Sequence, residues 1–228
     1  MSIWFRQIRA ILSKDIRIEA RSPAVLYTML LFASLVVVIF TFAFHIVDDY
    51  VRSYAPGIVW VAVLFTVSLG TGRIFDRESQ NACLDGLLIS TVEPRVVFVA
   101  KCILANIFSL SMAGMVVPLV CLFFDIGVRD PTWLVIAIVL GVFGFCLIGT
   151  LFGSLMVRLP FREILFPLVV FPLVVPLFIC GVKSTGLLFS GAELGQVRAW
   201  IGVMLAFDLV FMLGTLWIFP QVIRDRGR

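Results

Sequence analysis

The sequence predicts an all-α integral membrane protein, six transmembrane helices behind an N-terminal amphipathic helix lying in the membrane interface. Three observations carry that prediction. The 228 residues are 61% hydrophobic and only 14% charged, with a mean hydropathy of +1.13, whereas soluble domains are roughly half apolar and a quarter charged. Six apolar stretches, 24–44, 57–72, 96–124, 132–157, 164–182 and 199–219, approach or exceed the ~20 residues that cross a ~30 Å hydrocarbon core. Their apolar runs are continuous rather than alternating, which excludes a β-barrel and leaves helices to pair every backbone donor in lipid.

The third observation is where the cations fall. Thirteen of the 18 Lys and Arg residues lie in 1–22, 73–95, 158–163 and the tail after 220. Arg52, Arg129, Lys183 and Arg198 face the other way. Basic residues mark the cytoplasmic side, so both termini are expected there. The net charge of +4 follows from this topology, and no nucleic-acid partner is expected.

Residues 1–22 form the interfacial, or elbow, helix. Trp4, Ile8, Ile11 and Leu12 share one face, with Arg6, Arg9 and Lys14 around the other. Such a helix puts apolar groups among acyl chains and cations among anionic head groups of the lipid bilayer. Ser22-Pro23 ends it and opens a permease domain over 23–220, followed by a short tail, 221–228. The apolar run after Pro23 has no A-x-A-like site behind it, so it reads as a retained span.

The second span is short and extends toward Tyr54 and Phe75, with Tyr54 and Trp60 expected at the outer interface. Between spans two and three, FDRESQNACLDGLL (75–88) is acidic on its surface, with apolar residues at helical spacing. Glu78 and Asp85 lie two turns apart and near one face. A short helix of this kind suits a docking knob, its charges steering a basic groove and Leu84 and Leu87 filling a pocket. The alternative is an interfacial helix that only caps spans two and three.

In the third span Asn106, and in the fourth GTLFG (149–153), supply the polar and small residues that let membrane helices approach and hydrogen-bond. The fifth carries Pro167, Pro172 and Pro176, each removing an intrahelical hydrogen bond, so a kinked or broken helix and a candidate hinge are expected. Residues 183–198 read as a short external helix. Asp208 falls mid-span and should face protein or a cavity, either as a functional site or as a hydrogen-bonded structural group.

Several classes are excluded. No G-x-x-x-x-G-K-[ST] occurs, so ATP cannot bind this sequence through a P-loop. No H-E-x-x-H or G-x-S-x-G is present. Five scattered cysteines and one histidine, His45, form no metal-ligand spacing. No catalytic residue, metal site or cofactor of its own is expected, and uphill work would draw on a partner.

PGIVWV (56–61), the 75–88 stretch, VAK (99–101) and FPLVVPLFI (171–179) occur in order and at matching spacing. Together they resemble the CcmB family, the haem-exporter B membrane subunit of bacterial cytochrome c maturation. The resemblance implies an ABC-2-like permease fold in the bacterial inner membrane. It also implies a second copy of the chain, a separate ATP-binding subunit, a haem-handling membrane subunit, a small accessory membrane subunit and a periplasmic haem chaperone. ATP would be bound by the partner subunit and haem handled by the complex. The family pattern F-x-x-D/E-x-x-D-G-x-L-E-x-L falls on Phe75, Glu78, Leu84, Asp85 and Leu87 as the ATPase interface, with a departure at Asn81 and Ala82. A permease for another cargo (drug, lipid or glycan) and a non-transporting scaffold are the alternatives.

Overall fold

The computed structural model describes residues 3–21, 23–44, 51–80, 93–156, 159 and 161–225; of 51–52, 73–80, 220 and 222–225 only the backbone is described. Seven helices lie among these residues: α1 (Ile3–Arg21), α2 (Ala24–Ala43), α3 (Val51–Gln80), α4 (Pro94–Phe123), α5 (Pro131–Met156), α6 (Arg162–Phe189) and α7 (Leu194–Asp225). The last six are long and apolar enough to cross a membrane.

The helix boundaries follow from local chemistry. Pro94 opens α4 at a position where its missing N–H costs nothing. Gly191, at a φ of 70°, turns the chain after α6 while Ala192 N donates to Leu187 O at 2.9 Å, a left-handed cap that glycine adopts without a Cβ clash. Asp125, at a φ of 49°, ends α4 with Ile126 N on Cys121 O.

Consecutive spans run antiparallel, and named contacts fix which ends meet. Phe98, early in α4, packs on Phe219, late in α7, with ring centroids 4.8 Å apart. At the opposite end Arg198 of α7 lies over the Trp133 ring of α5 at 5.1 Å, and Tyr54 stacks on Phe44. One end of the bundle thus collects α1, Arg95 and Arg162.

Helix α5 is the centre of the bundle. Its most apolar stretch is 72% buried, against 22% for that of α7 and 28% for that of α2, and it touches α3, α4, α6 and α7. The main core gathers Val59, Val63 and Val67 of α3 with Val142, Cys146 and Ile148 of α5 and Val170 and Val174 of α6. A second core joins Val25 and Met29 of α2 to Leu104, Phe108 and Met112 of α4, with Leu12 of α1 against it.

Several expectations are borne out, narrowed or corrected. The second span extends through Tyr54 and Phe75 as expected, in a 30-residue helix, but Phe75–Gln80 continue that helix rather than opening a separate one. No glycine or proline interrupts 73–80, so nothing stops the helix there. Residues 183–198 form no separate external helix: α6 runs to Phe189 and α7 starts at Leu194, because Ser184 and Thr185 are buried and bonded within the bundle. Of the kinked or broken span expected at Pro167, Pro172 and Pro176, the break is absent: α6 runs continuously through all three. Trp60 does not present its ring to an interface but buries it among α3, α5 and α6, 3% exposed, since its indole N–H has a protein acceptor.

Candidate coupling and intramembrane sites

Phe75 and Glu78 lie in the last turns of α3, at the bundle end that carries α1. Their side chains, and all of Leu84, Asp85 and Leu87, lie outside the described residues, as do Asn81 and Ala82. The chain re-enters at Glu93, which precedes α4 and sits 3.8 Å from Arg95.

The elbow helix is attached to the same end by a buried ion pair. Lys101 Nζ donates to Asp15 Oδ2 at 2.7 Å, with side chains 3% and 9% exposed, and Lys14 Nζ approaches the other carboxylate oxygen at 3.1 Å. A lysine one turn or so into an apolar span is expensive unless matched, and α1 supplies the match. α1 is therefore clamped to α4 as well as amphipathic. Sequence reasoning did not pair the two residues. The signal was present: Asp15 is one of only two acids in a strongly basic segment, and Lys101 is a cation within an apolar run.

At the opposite end, Trp60 locks α3 against two neighbours. Its Nε1 donates to Thr185 Oγ1 of α6 at 3.0 Å. The ring lies so close to Gly141 of α5 and Gly181 of α6 that a Cβ at either would collide with it, at 2.5 Å from Cε2 in the second case. Glycine is required at both positions by close approach, not by conformation. In the GTLFG pair, Gly149 faces Thr71 of α3, whose Oγ1 would lie 3.0 Å from an added Cβ.

Asp208 is 2% exposed, and neither carboxyl oxygen has a hydrogen-bond partner among the described residues. It packs from α7 onto Gly144 of α5, beside Leu177 of α6, whose Cδ2 would stand 2.9 Å from a Cβ at position 144. It therefore faces protein, as a mid-span carboxyl must. Asn106 is elsewhere: its Nδ2 donates to Cys102 O at 2.9 Å and approaches Cys102 Sγ at 3.6 Å. Nearby on the α4–α5 contact Cys146 Sγ donates to Ser109 Oγ at 3.7 Å. No hydrogen bond among the described residues joins Asn106 to Asp208.

Pro172 and Pro176 both point outward from α6, while Pro167 is half-buried. Proline lacks the N–H that would reach the carbonyl four residues earlier, so the Leu168 and Pro172 carbonyls lose their helical donors on one exposed face.

Six apolar antiparallel spans around a glycine-bearing central helix, with an amphipathic helix clamped at the basic end, define a multi-pass α-helical membrane protein. The sequence pattern of the CcmB protein family matches residues 6–224, and the chain belongs to that family. It is 25% identical over 199 residues to Heme exporter protein B of Pseudomonas aeruginosa, covering 87% of this chain and 89% of the relative. The protein of the same name from Rhodobacter capsulatus is 27% identical over 186 residues (82% and 84%), and that from Haemophilus influenzae 25% over 213 residues (93% of each).

Proposed function

We propose that this chain is the membrane permease subunit of an ABC transporter-type complex in cytochrome c maturation. In this reading it sits in the bacterial inner membrane with both termini cytoplasmic, paired with a second copy and with a separate ATP-binding subunit. A haem-handling membrane subunit, a small accessory membrane subunit and a periplasmic haem chaperone complete the complex. Its part is to carry motion from ATP hydrolysis on the partner chain to haem delivery and release of the haem-loaded chaperone. No catalytic role is assigned to this chain.

The family membership over residues 6–224 carries the reading. Three features of the bundle support the mechanical part of it. Segment 81–92 joins α3 and α4 at the end where α1 is clamped by Lys101 and Asp15, so force applied there reaches two spans and the elbow helix together. From that end α3 runs 30 residues to the far side, where Trp60 ties it to α6. The route thus passes from Phe75, Glu78, Leu84, Asp85 and Leu87, through α3, to the helix that carries the three prolines.

Charge reversal at Asp85 tests the reading. Asp85→Lys is expected to leave membrane insertion intact while the P-loop ATPase no longer co-purifies and c-type cytochromes fall in a strain relying on the variant. Unchanged ATPase association would overturn the docking assignment. A lost ATPase with normal cytochromes would point to a permease for another cargo.

A further inference from the structure

A cavity of about 550 Å³ opens between α3, α5 and α6 at the basic end of the bundle, within the ~300–1,000 Å³ range of ligand pockets. Its aromatic wall is Phe65, Phe166 and Phe171, with Phe65 and Phe171 meeting edge to face at 5.9 Å. Leu69 and Met156 extend that apolar surface. The polar groups gather at one end, where Arg162 and Glu163, the first two residues of α6, both line the opening. Ser68 also lines it, and its hydroxyl oxygen is buried with no hydrogen-bond partner among the described residues.

Among the described residues, an apolar chamber with one cation and one anion in its lining calls for an amphiphile with a dipolar head. We propose that this cavity is a phospholipid site for a head group with a primary ammonium, of the phosphatidylethanolamine class. The phosphate lies on the Arg162 guanidinium, where the N-terminus of α6 adds its own attraction for negative charge. The ammonium donates to the Glu163 carboxylate, and an acyl chain lies among the three phenylalanines. Basic residues crowd the head-group level at this end, so the opening stands at the depth where a lipid phosphate is found. An anionic lipid leaves Glu163 opposed to its own charge, and a choline head cannot donate a hydrogen bond to it. The assignment does not depend on the partners proposed above.

The test is native mass spectrometry of the purified full-length chain in detergent, titrated with phosphatidylethanolamine, phosphatidylglycerol and phosphatidylcholine of identical acyl composition. One phosphatidylethanolamine is expected to bind saturably, about tenfold tighter than either of the others. Glu163→Gln should erase that preference, and Arg162→Gln should weaken all three about tenfold. A Cβ at Gly72, on the cavity wall, meets nothing within 4 Å, as does one at Gly114. Gly72→Leu therefore has room at its Cβ to extend into the chamber and should abolish the bound lipid, whereas Gly114→Leu should not. Head-group-independent binding to the unsubstituted chain, tighter binding of phosphatidylglycerol, or wild-type lipid retention in Gly72→Leu would each overturn the proposal.

Discussion

Lys101 and Asp15, 86 positions apart, form a 2.7 Å ion pair that is almost wholly buried. The pair holds the amphipathic helix against α4 at the end where α3 and α4 are joined. Breaking a buried pair by removing one partner strands the other charge and costs about 3–5 kcal/mol, whereas replacing both by apolar groups can be nearly neutral. Asp15→Asn and Lys101→Met should therefore each lower the melting temperature of the purified protein. Asp15→Leu combined with Lys101→Met should recover most of the loss.

The Trp60 lock has a similar asymmetry. Thr185→Val leaves the indole N–H buried without an acceptor, at about 1–3 kcal/mol. Gly181→Ala pushes a methyl into the ring, an overpacking of about 1–3 kcal/mol. Joined to Trp60→Phe, the Gly181→Ala cost should shrink, because the colliding ring edge is gone. Melting of the four proteins in one detergent checks the expected non-additivity.

The six spans were legible because a span is a one-dimensional property: about 20 apolar residues and the sign of the flanking charge decide it. What pairs with what was not. Trp60 read as an interface residue because its own neighbours in sequence are apolar and Pro56 is close. Its burial is decided by Gly141, Gly181 and Thr185, on two other helices. Asp208 was correctly expected to face protein, yet nothing in the sequence singles out Gly144 as its neighbour. The end of α6 was misread because Lys183, Ser184 and Thr185 look like loop residues, while two of the three are buried and bonded inside the bundle.

Among the described residues Asp208 has no hydrogen bond to lose. Asp208→Asn and Asp208→Leu are expected to reach wild-type abundance in membranes and to elute as monodisperse protein. Asp208→Lys should not, because a longer cation is forced against Gly144 and Leu177 within the span. Collapse of the asparagine and leucine variants together would mean that the carboxyl has a structural partner in the assembled protein.

Pro172 and Pro176 face outward, so replacing them by alanine removes little packing and restores donors to the carbonyls of Leu168 and residue 172. Each substitution should raise the melting temperature. If α6 flexes at these positions during ATP-driven work, the double variant should also lower cytochrome c output in cells despite its greater stability. Raised stability with unchanged output would assign the prolines to shape alone.

The central claim is that the 75–88 stretch is where a separate ATPase grips this chain, and site-specific photo-crosslinking in native membranes tests it most directly. A photoreactive residue at position 85 should capture a P-loop ATPase, and one at position 78 should do so more weakly. The same group at position 193, in the turn before α7 at the far end of the bundle, should capture none. Absence of an adduct from 85 in membranes where the ATPase still co-purifies, or an adduct from 193, would contradict the account.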